Sequence, residues 1–384
     1  MITKIINGRV LLGGAFENAT VYLDGGKILA IEKEPDVGNN RINAEHVIDA
    51  NGNYVTAGFV DIHCHGGGGC DYNDGNEDAV RTAVKAHLKH GTTSLFPTVT
   101  SASIESMEHG IGAIEAVMRE LPSVEGIHLE GPYFSPAQLG AQDESALKPP
   151  TKSEYEPIMQ NHRIVRWDYA PETDADFAFL QTLLQYKTIP SAAHTDATCA
   201  QMEQAADRGC QLITHLYSAT STVRREHGFR IAGVLEAAYL RDDIKVELIA
   251  DGCHLPHELL RLAYKLKGAD RIALVTDAMR VAGTDIQSGE FTIGKTKCII
   301  EDGVAKLPDR SAFAGSIATA DRLVRTCVAA GIPLPEAIKM MTETPASIMG
   351  LSNKGRIEVG YAANLVIFDG DIRIEAVILD GKEQ

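Results

Sequence analysis

From Met1 to about Tyr54 the chain consists of short β-forming runs broken by tight turns. Thr20-Val21-Tyr22-Leu23 faces Lys27-Ile28-Leu29-Ala30-Ile31 across Asp24-Gly25-Gly26, the signature of a hairpin. The C-terminal end has the same texture: Asn364–Phe368 and Ala376–Leu379 flank turn residues that include Gly370 and Asp371. Neither end is long enough to bury a good core alone. The two are expected to pair into one small β-sandwich, residues 1–55 with residues 354–384.

Between them, over residues 56–353, apolar strand-like runs alternate with helical stretches. The strand candidates are Phe59–His63, Ser94–Thr98, Glu125–Leu129, Arg166–Ala170, Ser191–His194, Gln211–His215, Lys245–Ala250 and Ile272–Thr276. Helical segments such as Asp78–His90 and Thr198–Gly209 separate them, and Leu323–Ala330 and Pro335–Met341 follow. Pro335 suits a first helical turn and Gly350 a helix stop. Eight such units over roughly 300 residues predict an α/β fold, a (β/α)8 barrel of the TIM type.

Composition narrows the partners rather than the fold. With 44% hydrophobic and 23% charged residues in 384, the chain is ordinary globular protein. A formal net charge of −16 argues against nucleic acid or an anionic membrane as partner, yet a local basic patch can still serve a small anionic substrate. No N-terminal signal and no membrane-length apolar run is visible. The seven cysteines are scattered, odd in number and form no CxxC, which predicts reduced thiols and a cytoplasmic protein.

The polar residues at the strand ends carry the chemistry. Phe59-Val60-Asp61-Ile62-His63-Cys64-His65 runs into four glycines, Gly66 to Gly69. Alternate strand residues share a face, so His63 and His65 point the same way and can hold one ion between them. Glu130, His194, His215 and Asp277 each close a different strand, and a barrel gathers such ends at one mouth. Imidazole and carboxylate together suit a divalent transition metal, zinc first, with iron, manganese or cobalt as alternatives. The glycines are expected to form a close-packed loop at that mouth, where backbone without Cβ can approach a ligand.

These residues resemble the amidohydrolase superfamily: FVDIHCHG on the first strand, a lone histidine after the fifth and the sixth, and an aspartate after the eighth. His128-Leu129-Glu130-Gly131-Pro132-Tyr133-Phe134, Ala193-His194-Thr195, Thr214-His215-Leu216-Tyr217, Asp251-Gly252-Cys253-His254 and Thr276-Asp277-Ala278-Met279 are similar to the N-acetylglucosamine-6-phosphate deacetylase family within it. Lys354-Gly355-Arg356-Ile357-Glu358-Val359-Gly360 resembles the return strand of that family's small β domain. Strand four, Trp167-Asp168-Tyr169-Ala170-Pro171-Glu172, lacks the lysine with which many two-metal relatives bridge their ions.

The resemblance implies a deacetylase that hydrolyses N-acetylglucosamine 6-phosphate to glucosamine 6-phosphate and acetate in amino-sugar catabolism, with N-acetylgalactosamine 6-phosphate or an N-acyl amino acid as the alternative substrate. Glu130, His194 and His215 would be the first ligands, three in number so that water has a place. His63 and His65 could hold a second ion, so the count is one or two. Asp277 would be general base and then acid. His254 would face the substrate. Ala141, Gln142, Ala314 and Gly315 match loops that touch substrate in the family. The family's asparagine after His-Leu-Tyr is Ser218 here, while Ala219 keeps a backbone donor. Arg225, with Arg224 as its neighbour, aligns with a phosphate-binding arginine that reaches across a dimer interface, which implies a homodimer. A metal-free barrel serving as an assembly module would be expected to have lost these ligands.

Overall fold

The computed structural model describes residues 2–34, 42–293 and 296–384. Its centre is an eight-stranded parallel sheet built from Phe59–Cys64, Thr92–Thr100, Ile127–Glu130, Ile164–Tyr169, Ile189–Ala192, Leu212–Ile213, Lys245–Leu248 and Ile272–Leu274, in that spatial order. These are the eight runs read from the sequence, with ends moved by a few residues. The first strand is buried at every position, as parallel strands covered on both faces must be. Past strand eight, Asp277 N–H donates to the His63 carbonyl at 2.9 Å and Cys64 bridges Ala278. The last strand end is thereby stitched to the first, and the sheet closes nearly to a barrel.

Helices cover its outside, and their starts follow from local capping. Asn76 accepts from Ala79 N–H at the head of Glu77–Leu88. Thr198 and Gln201 form a reciprocal capping box ahead of Cys199–Ala206. Strand four shows how the pleat sorts its residues. Trp167 and Tyr169 pack outward with Phe179 and Leu183 of the helix Ala178–Gln185, which leaves Arg166 and Asp168 inside the barrel.

The two chain ends share one further sheet. Among the described residues it holds Ile2–Leu12, Ala15–Asp24, Lys27–Lys33, His46–Asp49, Tyr54–Ala57, Leu365–Phe368, Ile374–Leu379 and Lys382–Glu383. Tyr54–Ala57 joins the ends, pairing in parallel with Arg9-Val10 and antiparallel with Leu365–Phe368. Its apolar face, including Ile5, Val21, Val55, Leu365 and Ile378, forms a core separate from that of the barrel. A third sheet was not anticipated. Gly289–Ile293, Thr296–Glu301 and Val304–Lys306 pair antiparallel between strand eight and the helix Ala320–Ala329. Cys298, Ala305 and Ala314 pack beneath it, with Ala141 alongside. No described helix is long and apolar enough to cross a membrane.

Candidate active site

The strand ends deliver their polar residues to one place. Donor atoms of Glu130, His194 and His215 lie within 4.8 Å of one another, as do those of His63, His65 and Glu130, and all five residues are buried. Glu130 is the hub. Its Oε1 lies 3.3 Å from His194 Nε2, 3.2 Å from His215 Nε2 and 3.6 Å from His63 Nε2. Backbone fixes the two later imidazoles: His194 Nδ1 donates to the Gln138 carbonyl at 2.9 Å and His215 Nδ1 to the Ser218 carbonyl at 3.1 Å. A carbonyl can only accept, so the Nδ1 positions carry hydrogen and both Nε2 atoms aim at Glu130. Outer hydrogen bonds of this kind orient metal-ligating histidines.

The electrostatics fit a cation. Burial alone would push Glu130 up, but the contacts from His194 and His215 and the charge of His65 hold it well below the usual carboxylate range. Burial would likewise lower His215, yet its bond to Glu130 raises it to about 9. Both shifts favour positive charge between Glu130 and His215, the place a divalent ion would take.

Asp277 stands beside the first-strand pair, its Oδ1 3.2 Å from His65 Nε2 and 3.6 Å from His63 Nε2. Burial opposes its charge, but the His65 bond and the neighbouring His63 hold its carboxyl down at about 2. No helix starts there; the next begins at Ala320, so capping does not explain it. His194, His215 and Asp277 all have positive φ, at 43°, 30° and 45°. Such backbone costs about 1–3 kcal/mol per residue and clusters at functional sites.

A cavity of about 1060 Å³ opens over these groups. His65, Glu130, His194, His215 and Asp277 line it, with Ala141, Gln142, Ser218, Ala219, His254, Ala314 and Gly315. His254 is set by Asp251, whose Oδ2 lies 2.8 Å from Nδ1 while Oδ1 accepts two backbone N–H groups. Gln142 sits on Glu130 itself, its Nε2 2.8 Å from Oε2. Arg225 lies outside the cavity of its own chain, on an exposed hairpin of Arg224–Glu226 and Phe229–Ile231. Arg224 beside it is tied to Glu226 and Asp196.

The glycines answer to a different constraint than expected. A Cβ on Gly66 would sit 2.2 Å from the Cys70 carbonyl, and one on Gly67 would sit 2.9 Å from His87 Nε2. The close approach is to the chain itself; Gly66 to Gly69 do not line the cavity.

Sequence reasoning missed the layer beneath the site. His63 Nδ1 lies 3.2 Å from Glu247 Oε2. Arg166 binds Glu247, Asp168 and the Ile62 carbonyl, and His128 Nε2 lies 2.9 Å from Asp168 Oδ1. All four side chains are fully buried. Burial, and then Arg166, lowers His128 to about 4. The one available signal was the alternation of Arg166 and Asp168 with apolar Trp167 and Tyr169.

A nearly closed parallel barrel with this donor set at its C-terminal mouth is the architecture of metal-dependent hydrolases, and the chain belongs to the amidohydrolase family, whose model matches residues 54–383. Within that family it is similar to N-acetylglucosamine-6-phosphate deacetylase of Lysinibacillus sphaericus, with 31% identity covering 96% of this chain and 94% of that one. N-acetylgalactosamine-6-phosphate deacetylase of Shewanella sp. (strain ANA-3) is 30% identical over 85% of this chain and 82% of its own. The crystal structure of N-acetylglucosamine-6-phosphate deacetylase from Pasteurella multocida matches with a TM-score of 0.92 at 29% identity, covering the whole of both chains.

Proposed function

We propose that this protein hydrolyses the acetamide of N-acetylglucosamine 6-phosphate to glucosamine 6-phosphate and acetate. The observation that carries the reading is the meeting of Glu130, His194 and His215 with Asp277 in one cavity, in a chain similar to deacetylases throughout its length. Glu130, His194 and His215 would hold a divalent ion, zinc by donor set or else iron, manganese or cobalt. Bound there, such an ion supplies Lewis acidity to the carbonyl and acidifies water. Asp277 takes a proton from the attacking water and gives it to the departing nitrogen, which cannot leave as an anion. His63 and His65 hold the Asp277 carboxylate in place. His254, oriented by Asp251, offers its outer nitrogen to carbonyl or sugar hydroxyl. Ala141, Ser218, Ala219, Ala314 and Gly315 shape the sugar site.

Arg225 can serve phosphate only from a second copy, since it lies outside its own cavity; a homodimer follows from the reading. Residues 56–353 act as the catalytic unit and the two ends as its supporting domain. The free cysteines suit a reducing, cytoplasmic location. The galactosamine epimer is the second reading, favoured by the likeness to the Shewanella enzyme and by Ser218 in the sugar loop.

Acetate release from both epimers, with and without phosphate, tests this. Wild type is expected to prefer the phosphorylated glucosamine epimer. Asp277→Asn should lose about 100- to 10,000-fold in kcat, and Arg225→Ala should raise KM on the phosphorylated sugar alone. Activity on neither sugar by a metal-loaded protein would overturn the substrate.

A further inference from the structure

The cavity of about 1060 Å³ exceeds the roughly 300–1,000 Å³ that houses a drug-sized ligand, and its two ends differ. In a ring of eight strands the second and the sixth stand opposite each other. Ser218 and Ala219 follow strand six and His254 follows strand seven. Ala102, Ser103, Ile104 and Ser106 follow strand two, and Leu147 and Lys148 come from the long connection after strand three. The donor cluster, drawn from strands one, three, five, six and eight, occupies the middle. The end at strands two and three mixes apolar Ala102, Ile104 and Leu147 with Ser103, Ser106 and Lys148. Ser103 is exposed and Lys148 half-buried, so this end opens to solvent. Ser103 Oγ accepts from Ser106 N–H at 3.3 Å and keeps its own hydrogen to donate. Among the described residues Lys148 Nζ meets only Glu154 Oε1, at 2.8 Å, which leaves two of its hydrogens free.

We propose that the end at strands two and three is an acyl subsite, and that the protein also hydrolyses amino-sugar phosphates whose N-acyl chain is longer than acetyl and ends in a hydroxyl. The inference deepens the function proposed above and rests on it. The carbonyl carbon of an amide carries nitrogen on one side and the acyl chain on the other. With the sugar held by Ser218, Ala219 and His254, the chain points across the donor cluster towards strands two and three. An acetyl methyl stops short of them. A four-carbon chain lies along Ile104 and Leu147 and brings its terminal oxygen to the free hydrogens of Ser103 and Lys148. Glu154 already balances the Lys148 charge, so the pair suits a neutral hydroxyl better than a carboxylate. The bonds made and broken are those of the acetamide reaction: the oxygen of water joins the acyl carbon, the C–N bond breaks, the nitrogen leaves protonated, and the hydroxy acid leaves as its carboxylate.

The test follows release of glucosamine 6-phosphate, the product common to every acyl chain, from its N-acetyl, N-(4-hydroxybutyryl) and N-pentanoyl derivatives. In wild type, kcat/KM on the 4-hydroxybutyryl derivative should stay within about tenfold of that on acetyl, whereas a pocket closed around acetyl loses about tenfold or more for each added methylene. The pentanoyl chain has the same length with methyl in place of hydroxyl, and should be poorer than 4-hydroxybutyryl by about 5- to 10-fold, the scale of one hydrogen bond. Lys148→Met should erase that gap. Ile104→Trp, which fills the subsite, should lower both longer chains by about tenfold or more. Both variants should keep the wild-type rate on acetyl, which also shows that they are folded. A wild-type loss greater than about tenfold between acetyl and 4-hydroxybutyryl, or a hydroxyl preference that survives Lys148→Met, would overturn the inference and leave the deacetylase reading standing. Turnover of none of the three would overturn both.

Discussion

Arg166 is fully enclosed inside the barrel, and a guanidinium cannot shed its charge to suit such a place. It persists because Asp168 and Glu247 meet it there and Thr214 and the Ile62 carbonyl take its other hydrogens. Glu247 in turn faces His63, so the charge of a buried arginine is coupled to the orientation of a candidate ligand. Removing one partner of such a network leaves the others charged and unpaired, at a cost of about 3–5 kcal/mol. Arg166→Met is therefore expected to lower the unfolding free energy by that amount in urea titration. A loss under 1 kcal/mol would mean that Asp168 and Glu247 find other partners.

Among the elements, the helix Ala320–Ala329 shows how a strand-to-helix connection is secured. Asp321 in its first turn accepts from Thr319 at 2.6 Å and Arg325 at 2.8 Å, and its Oδ1 lies 3.3 Å from His90 Nδ1. Burial would raise its carboxyl, but His90, Thr319 and Arg325 together hold it at about 2 against an ordinary 3.8. The folded state then binds fewer protons than the unfolded state between those values, so stability rises with pH across that window. The contribution is about 2 kcal/mol, fully present above roughly pH 4 and lost as pH falls through 2. Asp321→Asn should flatten that part of the acid limb relative to wild type in unfolding measured from pH 5 downward. Equal slopes would remove Asp321 from the account.

For the whole molecule, the candidate ligands matter because they come from far apart. Glu130, His194 and His215 close the third, fifth and sixth strands, and His63 and His65 the first. An ion held by Glu130, His194 and His215 would have no comparable site in the unfolded chain, so its binding free energy would add to folding. Chelation should lower Tm by several degrees, and readdition of zinc should restore it. An unchanged Tm after complete metal removal would show that the barrel mouth is held by protein contacts alone.

Eight apolar runs, the polar residue closing each of several of them and the pairing of two β-rich ends were legible in the chain because each rests on local pattern. A strand must bury its faces, a turn needs its glycine, and a barrel puts strand ends at one mouth. His63, His65, Glu130, His194, His215 and Asp277 could therefore be expected at one mouth from the chain alone, and the fold brings them together there. The antiparallel strands Gly289–Ile293, Thr296–Glu301 and Val304–Lys306 carry no such signal, since they are short and interrupt an expected βα step. Tertiary structure alone decided the rest. That Glu247 stands behind His63, and that Arg166 reaches both Glu247 and the Ile62 carbonyl, are contacts between residues far apart in sequence. Nothing in local periodicity encodes them; they exist because closing the sheet brings strands one, four and seven around a shared interior that must neutralise its own charge.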